Sequence, residues 1–123
     1  MTFESYLFGR EQFVEVINPV TGDSRVVKAK VDTETYTSNI DMRLAAELNL
    51  NTEVETKRVY NYLGDENLKV ANVCLSTDVG EDNAKKLDTE VTIADRSKLR
   101  HPLAIGRKDL ESFDAIIDVK KSL

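Results

Sequence analysis

The chain of 123 residues has the size of one domain built around one hydrophobic core, and we take residues 1–123 as that domain. A formal net charge of −5 has the wrong sign for a protein that holds nucleic acid through phosphate contacts, so no nucleic-acid partner is expected. No segment approaches the ~20 apolar residues of a membrane span, and residues 1–13 lack the basic and apolar regions of a secretory signal. We therefore expect a cytoplasmic protein with no membrane partner.

The single cysteine and the single histidine restrict the available chemistry. Cys74 lies in the apolar run VANVCL, has no intramolecular disulfide partner, and is predicted to be a small buried core residue. His101 lies in the turn-like LRHPL and is predicted to be a surface or loop histidine rather than a catalytic one. Because a zinc site usually takes three or four clustered ligands, we expect no metal and no other cofactor.

The first predicted elements are the strands of a β-hairpin. Residues 12–18 and 25–31 both alternate apolar with polar side chains, and the turn-forming PVTGDS separates them. In the second strand this alternation places Val27, Ala29 and Val31 on the buried face. The strand ends at Asp32, which therefore lies where a core strand enters a hydroxyl-rich loop.

A short helix is predicted after this loop. The segment DMRLAAELNL has Asp41 as a plausible N-cap and carries four apolar residues at helical spacing. We expect these four side chains to belong to the core: Met42, Leu44, Ala45 and Leu48.

The second half of the chain is predicted to contain mostly short strands. Residues 53–62 and 67–77 form a longer hairpin with Gly64 and Asp65 at its tip, residues 78–88 a polar loop, and residues 89–95 a further strand. A helical turn over 107–113 and a strand over 114–119 complete the chain. The elements predict a mainly β fold, a closed or partly open β-barrel with one or two short helices.

Asp32 has two interpretations from the residues alone. It follows an apolar strand, Thr33 follows it, and hydroxyl groups at residues 37 and 38 close its loop, which suits a catalytic carboxylate. However, 22 aspartates and glutamates are present, so an acidic residue in a loop is expected by chance. The residues alone favour an Asx-turn.

Three segments together resemble a known family over nearly the whole chain: LFGREQFVEV, VKAKVDTETYTSNIDMRLAAELNL and TIADRSKLRHPLAIGRKDLESFDAIIDV. This order of motifs is similar to the retropepsin-like proteins commonly labelled ATP-dependent zinc proteases and found near RimK-type glutamate ligases. The positions in register are Gly9-Arg10-Glu11, Ala29-Lys30, Asp32-Thr33, Thr37-Ser38, Asp95-Arg96-Ser97, Pro102, Gly106-Arg107, Leu110 and Asp118. The resemblance implies a closed, six-stranded acid-protease β-barrel. In that barrel Asp32 is the catalytic carboxylate, and Thr33 braces the active-site loop against its symmetry mate.

The resemblance also implies a homodimer that acts on an extended peptide or protein substrate. Acid-protease chemistry needs two carboxylates that share one proton, and one chain offers one such Asp-Thr element. The hairpin tip at Leu63, Gly64 and Asp65 is then either a flap over the substrate or a part of the barrel wall.

The family pattern also assigns structural roles near the site. Residues 103–106 would form a strand beneath the Asp32 loop, where Gly106 permits close approach of the backbone. Arg107 would be a structural cation paired with a carboxylate near the site or the dimer interface. The zinc in the family label gains no support from these residues.

The chain departs from the family pattern directly after Asp-Thr. Glu34 and Thr35 stand where the family has glycine and alanine, and Glu34 adds like charge beside the catalytic pair. Two hypotheses therefore remain. The protein is a homodimeric aspartic peptidase with an altered pH optimum, or it is a non-catalytic peptide-binding or interaction domain with the same fold.

Overall fold

The computed structural model describes residues 6–50, 55–61, 64–77 and 85–120. These residues form nine strands and two short helices. In chain order they are β1 (Tyr6–Phe8), β2 (Glu11–Ile17), β3 (Ser24–Val31), β4 (Asn39–Asp41), α1 (Met42–Glu47), β5 (Glu55–Asn61), β6 (Gly64–Ser76), β7 (Lys86–Ala94), β8 (Leu103–Ile105), α2 (Arg107–Ser112) and β9 (Ala115–Ile117). Neither described helix is long and apolar enough to cross a membrane.

Six of the strands close into a barrel. They run in the order β2-β3-β8-β4-β7-β6, and an antiparallel pairing of β2 with β6 closes the ring. β5 lies outside the ring and pairs with β6. β1 and β9 form a separate parallel pair. The mainly β fold, with a closed six-stranded barrel and two short helices, is confirmed.

The barrel interior is filled by the apolar residues of alternating strand positions. Val14 and Val16 of β2 and Ala29 of β3 are fully buried, Val27 is buried, and Val31 is partly buried at the rim. The predicted inward face of β3 is therefore confirmed. Full burial of a valine or leucine side chain contributes roughly 1.5–3 kcal/mol, so this alternation is a main source of stability.

Helix α1 covers one side of the core. Asp41 is its N-cap and its carboxylate accepts a hydrogen bond from the Arg43 N–H, as predicted. Leu44, Ala45 and Leu48 are buried, but the prediction for Met42 is wrong because that side chain is 50% exposed. At about 100° per residue, position 42 points away from the face that the other three share.

Several predicted boundaries are corrected. β6 begins at Gly64, which pairs with Asn61, and Asp65 pairs with Tyr60, so both predicted tip residues lie in a strand. Leu63, predicted at the same tip, lies outside the described residues. β7 begins at residue 86, within the predicted loop over 78–88, because it continues the pairing with β6 to the end of that strand.

Candidate active site

Asp32 lies at the end of a barrel strand whose two neighbours fix its backbone. The N–H of Val31 donates to the carbonyl oxygen of Arg10 at 2.9 Å, which attaches this end of β3 to β2. The N–H of Asp32 donates to the carbonyl oxygen of Ile105 at 2.9 Å, which attaches it to β8 on the other side. The strand over 103–105 thus lies beside the Asp32 loop, as the family resemblance implied.

The carboxylate of Asp32 is oriented by its own loop. Oδ1 accepts a hydrogen bond from the N–H of Glu34 at 3.0 Å, which is the Asx-turn that the residues alone favoured. Oδ2 lies 4.0 Å from Nζ of Lys30, and the Asp32 side chain is 15% exposed. The turn and a catalytic role are compatible, because the turn uses one oxygen and holds the carboxylate in a fixed direction at the surface.

The rest of the loop is attached to the start of helix α2. The N–H groups of Arg107 and Lys108 donate to the carbonyl oxygens of Thr35 and Tyr36 at 2.8 and 2.9 Å. These N–H groups belong to the first turn of a helix, which has no partners of its own for them. The helix end and the loop therefore satisfy each other's backbone groups.

Gly106 is the point of closest approach between the loop and α2. A Cβ atom at this position would lie 2.5 Å from the carbonyl oxygen of Tyr36 and 2.8 Å from the backbone carbon of Thr37. Real Cβ atoms are not found this close to backbone atoms. The close approach predicted at Gly106 is present, and its cause is the backbone of the Asp32 loop.

A buried polar cluster holds the far end of the loop, and sequence reasoning did not find its centre, Asp109. This residue is 1% exposed and accepts hydrogen bonds from the hydroxyls of Ser38 at 2.5 Å and Thr89 at 2.6 Å. The Ser38 Oγ in turn accepts from the N–H of Gly106 at 3.0 Å. The Asp32 loop, β7 and α2 thus meet at one buried carboxylate, which satisfies the need of buried polar groups for hydrogen-bond partners.

Arg107 was predicted to pair with a carboxylate near the site or at the dimer interface; the described part of this chain shows other partners for it, and a carboxylate at the interface remains a prediction. Its Nη1 donates to the carbonyl oxygen of Thr33 at 3.0 Å, and its guanidinium lies 5.9 Å from the centre of the Tyr36 ring. Arg107 therefore braces the loop through its backbone and one aromatic ring. The proposed contact of Thr33 with a symmetry mate remains a prediction.

Arg96 is a second cation near the site. Its Nε donates to the carbonyl oxygen of His101 and its Nη1 to Oδ1 of Asn39, both at 2.9 Å. Burial lowers the pKa of Arg96, and the charges of Asp32 and Asp41 oppose that shift. Arg96 is thus a cation held in place by Asn39 and the His101 carbonyl, and the charges of Asp32 and Asp41 favour its charged form.

The remaining candidates lie outside this arrangement. The backbones of Gly64 and Asp65 pair with β5. Cys74 is partly rather than fully buried, and burial followed by the charge of Asp88 raises its pKa, so the thiol stays protonated and unreactive near neutral pH. Within the described ranges, no three His, Cys, Asp or Glu side chains are grouped so that they could hold a metal ion.

Comparison with known proteins identifies the fold and leaves the activity open. No family model matches the chain, and no curated protein matches it. Among solved structures, the EIAV protease in complex with an inhibitor is similar with a TM-score of 0.62 and 13% identity, over 97% of this chain and 100% of that chain. A DUF785 protein of unknown function from Legionella pneumophila subsp. pneumophila str. Philadelphia 1 is similar with a TM-score of 0.60 and 12% identity, over 98% of both chains. The chain therefore has a retropepsin-like fold.

Proposed function

We propose that the protein is an aspartic peptidase that works as a homodimer, with Asp32 of each subunit at the active site. The observation that carries the proposal is the position of Asp32. Its backbone is fixed by β2 and β8, its carboxylate is oriented by the Glu34 N–H, and its loop is attached to α2. A loop held at this many points satisfies the need of a catalytic carboxylate for fixed geometry.

The mechanism needs two such carboxylates within a few ångströms of each other. Like charges at that distance cannot both be ionised easily, so the pair shares one proton. The ionised carboxylate accepts a proton from a water molecule, which attacks the peptide carbonyl carbon, and the protonated one donates to the carbonyl oxygen. In a symmetric dimer the shared proton belongs to the pair of Asp32 carboxylates and not to either one alone.

Apolar surface on the β1–β9 pair supports the dimer. Leu7 and Ile116 are paired in register and are 46% and 53% exposed. Large exposed apolar side chains that lie together mark interaction surfaces. A second copy of the chain would cover them through the same patch on both subunits.

The β5–β6 hairpin is the proposed flap. Gly64 to Leu68 of β6 pair with β5, whereas pairing with β7 begins only at Lys69. The hairpin therefore extends beyond the closed ring, as an element that folds over an extended peptide must do. We place the peptidase in the cytoplasm, where the thiol of Cys74 would stay reduced.

One observation favours a second function, a non-catalytic peptide-binding domain. Glu34 donates its N–H to the Asp32 carboxylate, so its own carboxylate is carried by the same tight turn. In a dimer two such side chains would add negative charge beside the Asp32 pair. Closing a dry cleft over these side chains would be unfavourable, because an unpaired buried carboxylate is costly.

A peptide library separates the two functions. The purified protein is incubated at pH 4–7 with a diverse set of peptides, in parallel with Asp32→Asn, which keeps the side-chain size and removes the charge. Cleavage that Asp32→Asn abolishes, by at least about 10³-fold in kcat, supports the peptidase. Binding without cleavage by either protein rejects it in favour of the second function.

Glu34→Gly tests the cause of any loss of activity. If the Glu34 carboxylate silences the site, the glycine variant gains cleavage that still requires Asp32. If the variant and the parent protein cleave equally well, Glu34 has no effect on the pair.

A further inference from the structure

Tyr36 presents an aromatic ring at the surface of the loop that carries Asp32. It follows Asp32 by four residues, and it is 55% exposed. Because an aromatic side chain has a large apolar area, its contact with a ligand releases free energy that exposure to water forgoes. A single exposed ring is ordinary on a protein surface, but this one is held in place through both its backbone and its ring.

The start of helix α2 fixes the backbone of Tyr36. The carbonyl oxygen of Tyr36 accepts a hydrogen bond from the N–H of Lys108 at 2.9 Å, and that of Thr35 accepts one from the N–H of Arg107 at 2.8 Å. The same Tyr36 carbonyl packs against Gly106, where a Cβ atom would lie only 2.5 Å from it. The direction in which the Tyr36 side chain leaves the loop is therefore set by α2 and not by the loop alone.

The guanidinium of Arg107 joins the Tyr36 ring to the residue that follows Asp32. It lies over the ring, 5.9 Å from the ring centre, while its Nη1 donates to the carbonyl oxygen of Thr33 at 3.0 Å. A cation over the face of an aromatic ring is attracted to it. Because backbone and ring are both restrained, Tyr36 loses little conformational entropy when a ligand contacts it. We call the Tyr36 ring and the Arg107 guanidinium the aromatic platform.

The aromatic platform is suited to a planar apolar side chain. Aromatic rings in offset or edge-to-face contact attract each other by more than the burial of their area alone provides. Tyrosine and arginine are also enriched among the few residues that carry most of the binding energy at interfaces. Selection by the Tyr36 ring depends on shape and apolar contact, and it needs no ion pair.

We propose that Tyr36, held by Arg107, is a specificity-determining residue that stacks against an aromatic side chain of an extended peptide. The inference rests on the proposed function, since it requires that a peptide passes over the Asp32 loop. Tyr36 lies four positions from Asp32. A chain spans about 3.3 Å per residue, so the aromatic side chain is expected within about four residues of the cleaved bond. In a two-fold dimer the second Tyr36 gives the same preference on the other side of that bond.

Cleavage kinetics test the preference. A peptide that the parent protein cleaves is made as a blocked octapeptide, with phenylalanine or alanine at one position at a time. The parent is expected to have a kcat/KM at least about tenfold higher for phenylalanine at one position on each side of the bond, because the ring is buried on the platform. Tyr36→Ala should bring this ratio close to one, and Tyr36→Phe should keep it. The ratio compares two peptides on one protein sample, so partial unfolding of a variant does not change it. A ratio near one in the parent, or a ratio that Tyr36→Ala leaves unchanged, overturns the proposal.

Binding to Asp32→Asn protein separates this proposal from the peptidase activity. The chain has no tryptophan, so the tryptophan of a blocked octapeptide of alanine and serine is the only indole fluorophore in the mixture. Adding Tyr36→Ala to Asp32→Asn should raise the Kd of this peptide at least about tenfold, whereas adding Tyr36→Phe should leave it unchanged.

The outcomes of the two experiments are distinguishable. Cleavage by the parent without an aromatic preference leaves the peptidase in place and overturns the role of Tyr36. If no peptide is cleaved, the peptidase is rejected, and a Kd that depends on the Tyr36 ring still supports the aromatic platform. A peptide that does not bind, or binds equally well to Tyr36→Ala, overturns it. Dimers that sedimentation shows to dissociate in Tyr36→Ala would place the ring between subunits, which also overturns the proposal.

Discussion

Gly106 has no side chain, and this allows the backbone of the Asp32 loop to pack directly against it. The backbone φ of Gly106 is −84°, which any residue adopts, so the requirement is one of space alone. The Cβ atom of Gly106→Ala would press on backbone atoms of the Asp32 loop, which cannot rotate away. We expect the variant to unfold with a free energy lower by about 2 kcal/mol in urea titration, and its peptidase rate to fall with it.

Gly22→Ala is the matched control for this prediction. Gly22 has a φ of +81° in the β2–β3 turn, with open space around it, so alanine strains the backbone there by about 1–2 kcal/mol. Both variants should lose stability, but only Gly106→Ala should lose peptidase activity beyond the loss of folded protein. Equal specific activities of the two folded variants would show that the close approach does not position the loop.

Asp109 and Arg107 show why side-chain partners could not be predicted from the residues. An aspartate in the first turn of a helix is usually explained by the helix dipole alone, so no local pattern indicates the bonds of Asp109 to two hydroxyls. For Arg107 the prediction of a carboxylate partner followed from charge, whereas its partners within the described part of the chain are a carbonyl oxygen and an aromatic ring. Such contacts join residues far apart in the chain, and no local pattern encodes them.

At the scale of elements, the Glu11–His101 pair joins the start of β2 to the segment before β8. The carboxylate of Glu11 contacts Nε2 of His101, and that hydrogen bond, with a smaller effect from the charge of Lys28, lowers the pKa of Glu11 below 4.5. A carboxyl group whose pKa is lower in the folded protein stabilises the fold at pH values above the pKa that it has in the unfolded chain. This contribution disappears as the pH falls through the pKa of the folded protein. We expect Glu11→Gln to be less stable than the parent at pH 6, and the difference to shrink below about pH 4.5.

Denaturant titrations between pH 3 and 7 measure this difference. His101→Gln removes the partner, and in that background Glu11→Gln should have little further effect, which is the result of a double-mutant cycle for one shared interaction. A difference between Glu11→Gln and the parent that stays constant over this range would show that the pair does not contribute to acid sensitivity.

Long periodic elements were predictable, and very short ones were not. The alternation over 25–31 identified β3 and its buried face, and the spacing of apolar residues identified α1. β1 and β4 have three residues each, too few to show a period of two, and they form only because neighbouring strands supply partners. The strand that carries the proposed catalytic residue was therefore visible in the sequence, whereas β4, which helps to close the barrel beside it, was not.

At the scale of the whole molecule, the closed barrel places a single Asp32 at its surface. Closure removes all free edges of the ring except where short strands such as β8 leave one open. The chain supplies the fixed loop, two nearby cations in Lys30 and Arg96, and one carboxylate of the required pair. Under the proposed function the second carboxylate comes from another copy of the chain, and catalysis then requires assembly.

Mixing subunits tests that coupling directly. If each active dimer needs two Asp32 carboxylates, an equal amount of Asp32→Asn protein added to a fixed amount of the parent should lower its activity to about half, because random exchange leaves only about a quarter of the dimers fully parental. The same amount of parent protein added instead should double the activity, and dilution of the parent alone should lower the activity per subunit as dimers dissociate. Peptide cleavage after overnight exchange, with the assembly state followed by sedimentation, measures both effects. If addition of Asp32→Asn protein leaves the activity of the parent unchanged, and the activity per subunit is constant on dilution, each chain acts alone. Chemistry based on a proton shared between two subunits does not allow that result.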